Sequence, residues 1–135
     1  MDTRRFSHFK TRFFLCLVLT TAVSALRAES SSQEKQAAVA ALEQDVKTNP
    51  ANAELWLHLG FAYRKMGRID QAQSAFEKAA ALNPKNDDAL YMLGLIYEKK
   101  HLPQDAQRVW KQYLETETDA QKRAEAEKHI HHLSQ

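Results

Sequence analysis

The residues of this chain with the greatest capacity for chemistry are the histidines near its carboxyl end. His129, His131 and His132 lie within four consecutive residues, and imidazole nitrogens are common ligands of zinc. A zinc site needs three or four ligands that converge from fixed positions, and helical spacing brings only His129 and His132 onto one face. Charged histidines near the carboxyl end of a helix are also stabilised by the helix dipole. We therefore predict no metal site and no cofactor.

The other candidate catalytic groups form no recognisable arrangement. His58 and His101 have no carboxylate or nucleophile suggested beside them, and Asp87 and Asp88 stand where a helix is predicted to begin. Acidic residues are favoured at that position because the helix dipole stabilises them. The sequence contains no glycine-rich phosphate loop and no nucleophile motif. We predict that the protein is not an enzyme.

The predicted helices of this chain recur with a period of 34 residues, which is the spacing from Asn52 to Asn86. Each period has a helix with bulky residues and one glycine, then a helix with small residues around an aromatic one. The helix-interior glycine costs about 1 kcal/mol against alanine, so its recurrence indicates a close approach between helices. The positions are Trp56, Leu59, Gly60, Tyr63, Ala72, Phe76, Ala79 and Pro84, then Leu90, Leu93, Gly94, Tyr97, Ala106 and Trp110.

This pattern resembles the tetratricopeptide repeat (TPR), whose signature is W-x2-L-G-x2-Y, A-x3-F and P. The resemblance implies an all-α fold, a short TPR solenoid of antiparallel helix pairs with about two full repeats and flanking capping helices. We predict the first repeat at residues 53–86 and the second at residues 87–118, with Asn52 and Asn86 as helix N-caps.

A capping helix is predicted on each side of the two repeats. Residues 29–52 are predicted to be a linker and an amino-terminal capping helix, which resembles the second helix of a repeat whose first helix is missing. When this capping helix is aligned with the second helix of the first repeat, Ala38 takes the position of Ala72 and Asp45 takes that of Ala79. Residues 119–135 are predicted to be a carboxyl-terminal capping helix.

For that last helix the sequence predicts a capping box beginning at Thr118, with an apolar stripe on one face and charged residues towards solvent. The predicted stripe is Ala120, Ala124, Ile130 and Leu133, and the predicted solvated residues are Lys122, Arg123, Glu125, Glu127 and Lys128.

Residues 1–28 have the pattern of a secretory signal peptide. A basic segment precedes an apolar core at residues 13–26, and small residues offer cleavage after Ala25 or Ala28. The apolar core is shorter than the roughly 20 residues of a membrane span. We predict export, to the periplasm or outside the cell. The alternative is an uncleaved membrane anchor with the rest of the chain facing the periplasm.

Charge argues against a nucleic-acid partner. The chain has 19 basic and 17 acidic residues, but residues 1–25 hold four of the basic residues and one of the acidic ones. The remainder therefore has slightly more acidic than basic residues, which provides no general attraction for phosphate. The one cysteine, Cys16, lies in the predicted signal peptide, so a cleaved chain would have no disulfide.

In the TPR family the first helices of successive repeats line a concave groove that holds a partner segment. The resemblance implies that the groove residues are Leu57, Phe61, Arg64 and Lys65, followed by Tyr91, Leu95, Glu98 and Lys99. The carboxylate clamp of chaperone-type TPR proteins is not matched, because Leu57, Phe61, Tyr91 and Leu95 occupy the positions of its Lys and Asn residues. The groove is instead predicted to be apolar, with basic residues at its edge.

We therefore predict a non-catalytic interaction module, a scaffold of the bacterial periplasm or cell envelope with a protein or peptide partner. The alternatives are an accessory chaperone or assembly factor for envelope or cytochrome maturation, and a metal-handling protein dependent on the histidine cluster. A membrane contact is expected only if the amino-terminal segment is uncleaved. A further alternative is that Leu57 and Phe61 pack against the amino-terminal helix or a second copy of the chain, because short repeat arrays are marginally stable.

Overall fold

The computed structural model describes residues 32–135, and this part of the chain contains six helices and no strand. They are α1 (residues 32–48), α2 (Ala53–Lys65), α3 (Ile69–Leu82), α4 (Asp87–Lys99), α5 (Pro103–Thr116) and α6 (Ala120–His132). None of these helices combines the length and apolarity required to cross a membrane. The predicted signal peptide, residues 1–28, lies outside the described residues.

The chain divides into two units, residues 1–37 and residues 38–135. In the first unit only residues 32–37 are described, and they are the exposed beginning of α1. The packing described below concerns the second unit.

Two helix pairs, α2 with α3 and α4 with α5, confirm the predicted all-α TPR solenoid. Each pair begins at a capping asparagine: Asn52 Oδ1 accepts a hydrogen bond from the Glu54 amide at 3.0 Å, and Asn86 Oδ1 accepts one from the Ala89 amide at 2.9 Å. Both asparagines therefore cap α2 and α4 as predicted. The turns inside the pairs each contain a residue with positive φ, which is Gly67 at +72° in the first turn and His101 at +56° in the second.

The two glycines within the helices allow close contact in each pair. A methyl group at Gly60 would lie 2.6 Å from Phe76 Cε1, and one at Gly94 would lie 2.5 Å from Trp110 Cε2. Ordinary contacts between carbon atoms are about 3.5–4.0 Å, so only a hydrogen fits between helix and ring. Both rings are 0% exposed. The close approach between helices that the recurring glycine predicted is therefore confirmed at Gly60 and Gly94.

The remaining signature residues form most of the core around these rings. The alanines Ala72, Ala79 and Ala106 are completely buried, and so, almost entirely, are Leu59, Tyr63, Leu90, Leu93 and Tyr97. Two signature residues are exceptions: Pro84 is exposed, and Trp56 is only half-buried. The Nε1 of Trp56 donates a hydrogen bond to the Pro50 carbonyl at 2.8 Å. It therefore fastens the start of α2 to the end of the preceding turn.

A tyrosine–glutamate hydrogen bond recurs with the same period. Tyr63 Oη donates to Glu43 Oε1 at 2.6 Å, and Tyr97 Oη donates to Glu77 Oε1 at 2.7 Å. The pKa of each tyrosine is raised to about 12, mainly by burial and secondly by this hydrogen bond to a carboxylate. Glu43 in α1 and Glu77 in α3 are separated by one repeat period. The second part of α1 therefore holds the place that α3 holds in the next repeat.

Only one side of α1 is covered within residues 38–135. Val39 and Val46 are 3% and 5% exposed, whereas Ala38 and Asp45 are exposed. The residues equivalent to Ala38 and Asp45 in α3 are completely buried, because α2 packs over them. The exposed side of α1 is thus the side on which the missing first helix of a repeat would lie.

The last helix differs from its predicted form in three respects. Its N-cap is Asp119, which accepts hydrogen bonds from two backbone amides at 2.9 Å, so the capping box beginning at Thr118 is wrong. Its buried residue is Ala126, at 1% exposure, whereas Ala120 and Ala124 are exposed. Arg123 is half-buried rather than solvated. The two differences in burial follow from the face of α6 that packs against α5, which includes Ala126.

The junction between α5 and α6 is built around Glu117. One carboxylate oxygen accepts the amides of Thr118 and Asp119 at 2.9 and 2.8 Å, and the other accepts the Tyr113 hydroxyl at 2.9 Å. Lys122 Nζ lies 3.3 Å from the same carboxylate. The backbone hydrogen bond from Asp119 is the largest of the effects that lower the pKa of Glu117 to about 2. Arg123 Nη1 donates to the carbonyls of Leu114 and Glu117, which closes the junction.

Candidate functional site

The candidate groove begins on α2, where the four predicted residues differ in accessibility. Leu57 is 5% exposed and belongs to the core, so its side chain offers little surface to a partner. Phe61 is half-buried, and its ring meets Phe76 edge to face with centroids 5.2 Å apart. Arg64 and Lys65 are exposed, and the guanidinium carbon of Arg64 lies 5.8 Å from the centre of the Phe61 ring. The accessible part of the predicted groove on α2 is therefore the partly exposed Phe61 ring with the Arg64 cation above it.

On α4, the predicted groove residue Tyr91 is anchored within the fold. Its ring lies against Trp110 and Tyr113, with centroids 5.4 and 5.8 Å apart. Its hydroxyl donates to Glu125 Oε1 of α6 at 3.2 Å. Burial, followed by this hydrogen bond, raises the pKa of Tyr91. A change at Tyr91 would therefore disturb both α5 and α6.

Glu98 on α4 is also engaged in structural contacts. Trp110 Nε1 donates to Glu98 Oε1 at 2.6 Å, and His129 Nδ1 lies 2.9 Å from the same oxygen. The imidazole of His129 is stacked on the indole of Trp110, with centroids 4.6 Å apart and planes 14° from parallel. The carboxylate thereby connects α4, α5 and α6 at one point. The other two predicted residues of α4, Leu95 and Lys99, are half-buried and exposed respectively.

Sequence reasoning missed the two residues that α6 places beside the groove, Glu125 and His129. A signal for them was present, because Glu125 follows Tyr91 by one repeat period and His129 follows Leu95 by the same interval. If the repeat is continued into α6, these two residues take groove positions in the first helix of a third repeat. The poor match of α6 to the TPR signature had obscured that equivalence.

The histidines do not form a metal site in the described part of the chain. Among residues 32–135 no group of three or more His, Cys, Asp or Glu side chains converges as metal ligands. His129 faces Glu98 and Trp110, whereas His131 and His132 are exposed. His58 and His101 are exposed as well.

Two open cavities lie elsewhere, at equivalent places in successive repeats. One, of about 490 Å³, is lined by residues that include Leu90, Leu93 and Tyr97. The other, of about 300 Å³, includes Trp56, Leu59 and Tyr63 at the corresponding positions. No predicted groove residue lines either cavity.

Apart from Glu98 in the last turn of α4, the charged residues of the first helices are sorted by position along the helix. Acidic residues occupy the first turns, as Glu54 in α2 and Asp87 and Asp88 in α4. Basic residues occupy the last turns, as Arg64, Lys65 and Lys99. Because α2 and α4 are both antiparallel to the intervening α3, they run in the same direction, and their basic last turns lie at the same end of the solenoid.

Comparisons with known proteins place this architecture in a family. A family model described as tetratricopeptide repeat matches residues 53–86, and a second with the same description matches residues 75–108. The crystal structure of MamA aligns with a TM-score of 0.59 and 36% sequence identity, over 68% of this chain and 52% of that chain. The chain thus spans about half the length of MamA. No curated protein matches the chain in sequence.

Two more distant structures share the fold. SycD, a type III secretion translocator chaperone of Yersinia enterocolitica, aligns with a TM-score of 0.67 and 13% identity, over 77% of this chain and 74% of that chain. The first TPR of Spaghetti (RPAP3), bound to the HSP90 peptide SRMEEVD, aligns with a TM-score of 0.65 and 20% identity, covering 78% and 84% of the two chains. At these identities the likeness concerns the fold alone.

Proposed function

Because this chain is a tetratricopeptide repeat protein, we propose that it is a non-catalytic interaction module whose first helices bind a segment of another protein. The observation that carries the proposal is the pair Phe61 and Leu95. These apolar side chains occupy equivalent positions in successive repeats, and each is only half-buried although the signature residues around them are covered. Partly exposed apolar side chains in register along a groove suit the docking of a helix or an extended segment.

The related structures support a segment as the ligand. The RPAP3 structure contains an HSP90 peptide, and another SycD structure contains a peptide of the translocator YopD. TPR proteins are generally non-catalytic interaction modules, and we extend that role to this chain. The site we propose includes Phe61, Arg64, Lys65, Leu95 and Lys99. Leu57, Tyr91 and Glu98 support it from within the fold.

Export is the second part of the proposal. It is supported by the basic and apolar pattern of residues 1–28, and the site of action we propose is the periplasm or cell envelope. Fusion of alkaline phosphatase, which is active only after export, to the carboxyl end of the chain tests this placement. Activity comparable to that of a fusion with a known signal peptide is expected, and loss of activity on replacing residues 1–28 by a start methionine is the control.

The groove is tested by crosslinking in cells followed by co-purification. The variant is Phe61→Glu with Leu95→Glu, which places two charges on the proposed surface. The matched control is Leu82→Glu with Leu102→Glu, because these leucines are 42% and 39% exposed and lie outside the groove. We expect the groove variant to lose one or a few partners that the control retains.

Folding must be checked separately, because Phe61 also contacts Phe76 in the core. Helicity and thermal unfolding by circular dichroism identify a misfolded variant, and Leu95→Glu alone then replaces the double variant. An unchanged partner set in a folded groove variant contradicts the proposal. Loss of self-crosslinks alone would identify a second copy of the chain as the occupant.

A further inference from the structure

Arg64, Lys65 and Lys99, here called the basic rim, form a group of exposed cations beside the proposed groove. Within residues 32–135 none of the three forms an ion pair with a carboxylate, whereas Lys100 and Arg108 pair with Asp70 and Asp105. The first-turn carboxylates of α2 and α4 are about ten residues away, or roughly 15 Å along each helix. That distance exceeds the Debye length of about 8 Å at physiological salt, so those carboxylates screen the basic rim poorly.

The helix dipole does not explain why these cations lie where they do. Basic residues in a last turn are stabilised by the dipole, and this applies equally to every helix of the solenoid. However, only the first helices of the two repeats have them: α2 and α4 end with basic residues, whereas the last turns of α3 and α5 contain none. Lys47 in the last turn of α1 shows that basic residues are not confined to such helices. Within the two repeats, however, they follow the groove-lining helices.

Two carboxylates on the groove side of the fold, Glu98 of α4 and Glu125 of α6, are already hydrogen-bonded to side chains of the fold, and Glu125 Oε1 accepts the Tyr91 hydroxyl at 3.2 Å. Glu98 lies in the same last turn as Lys99, but its oxygens face Trp110 Nε1 and His129 Nδ1 at 2.6 and 2.9 Å. Arg64 in turn lies over the face of Phe61, which leaves its N–H groups free to meet a carboxylate in the plane of the guanidinium. The groove thus presents apolar side chains and cations together.

We infer that the segment bound in this groove is acidic and amphipathic. An apolar side chain of the segment lies against Phe61 and Leu95, and its neighbouring carboxylates meet the basic rim. This inference rests on the proposed function and specifies the chemistry of its partner. It depends on charge complementarity between the groove and the segment, which governs the choice of partner and the association rate more than the total affinity.

Three fluorescent peptides test the inference with the chain that begins at residue 29. Each has about 12 residues, enough to span roughly 40 Å when extended, and alternates leucine with glutamate, lysine or glutamine. Binding is followed by fluorescence anisotropy. We expect the glutamate peptide to bind about tenfold more tightly than the glutamine peptide, because three exposed ion pairs each change the affinity by about two- to threefold. The lysine peptide is expected to bind most weakly.

A charge-reversed variant and its matched control complete the experiment. Arg64→Glu, Lys65→Glu and Lys99→Glu together should abolish the preference for glutamate or reverse it. The control, Lys78→Glu, Lys111→Glu and Lys128→Glu, changes the net charge equally at exposed positions of other helices and should retain the preference. Raising the salt concentration from about 0.05 to 0.5 M should reduce the preference in the wild-type protein, because exposed charges are screened.

The outcomes separate the inference from the proposed function. Equal binding of all three peptides that is lost in Leu95→Glu would retain the groove and overturn its acidic preference. Tighter binding of the lysine peptide, or a preference that persists in the charge-reversed variant, also overturns the inference. Failure of every peptide to bind would contradict the inference and the groove together.

Discussion

Replacing Gly94 by alanine should destabilise the protein, although the same change stabilises an ordinary helix. Alanine in place of glycine in a helix interior gains about 1 kcal/mol. At Gly94, however, the added methyl group would lie 2.5, 2.7 and 2.9 Å from Cε2, Cζ2 and Cδ2 of Trp110. These distances are about 1 Å shorter than ordinary carbon contacts, so the indole or the helix must move.

The indole has little room to move. Trp110 is 0% exposed, its Nε1 donates to Glu98, and its ring lies between Tyr91, Tyr113 and the imidazole of His129. Overpacking of such a core costs about 1–3 kcal/mol, and displacement of the indole also weakens the hydrogen bond to Glu98, worth about 1.5–3 kcal/mol. After the gain in helix propensity, we expect a net loss of about 1–3 kcal/mol in the free energy of unfolding.

Urea unfolding followed by circular dichroism at 222 nm measures this loss. In thermal unfolding, each kcal/mol corresponds to about 4–8 °C in Tm for a domain of this size. The matched background is Trp110→Phe, whose smaller ring leaves space for the methyl group. Gly94→Ala should cost at least about 1 kcal/mol less in that background, because residues in contact are not additive. Unchanged or increased stability of Gly94→Ala, or an equal cost in both backgrounds, would refute the steric explanation.

Two further predictions concern the ends of helices. The pKa of Glu117 is about 2 in the folded protein, whereas its unfolded value is near 4.5, so the stability that this residue contributes is complete above pH 4.5 and disappears as the pH falls towards 2. Glu117→Gln should therefore be less stable than wild type at pH 7 but not at pH 2, as measured by urea unfolding. A difference in stability that does not depend on pH would contradict this. Asn86→Ala should lower the free energy of unfolding by about 1 kcal/mol, because the buried N-cap of α4 loses its bond to the Ala89 amide. Asn86→Ser, which retains a side-chain oxygen as acceptor without placing a charge beside Glu54, is the control, and an equal loss in both variants would argue against capping.

The repeat, the helices and most of the core could be predicted from the sequence. The repeat period identified the two helix pairs, the glycines of closest approach and the aromatic rings that face them. These features are local, since a TPR helix packs chiefly against its neighbours along the chain, and its buried face follows from residue spacing. The same spacing placed Asn52 and Asn86 at the starts of α2 and α4.

Only the tertiary structure decided which of the predicted groove residues are accessible. Leu57 and Phe61 lie on one helical face, yet the first is buried and the second is half-exposed. Glu98 had the sequence position of a groove residue but is held by Trp110 and His129. Spacing within one helix specifies a direction from the helix axis, whereas exposure depends on which other helix covers that direction. For Glu98 that helix is α6, whose weak repeat signature gave little indication of where it packs.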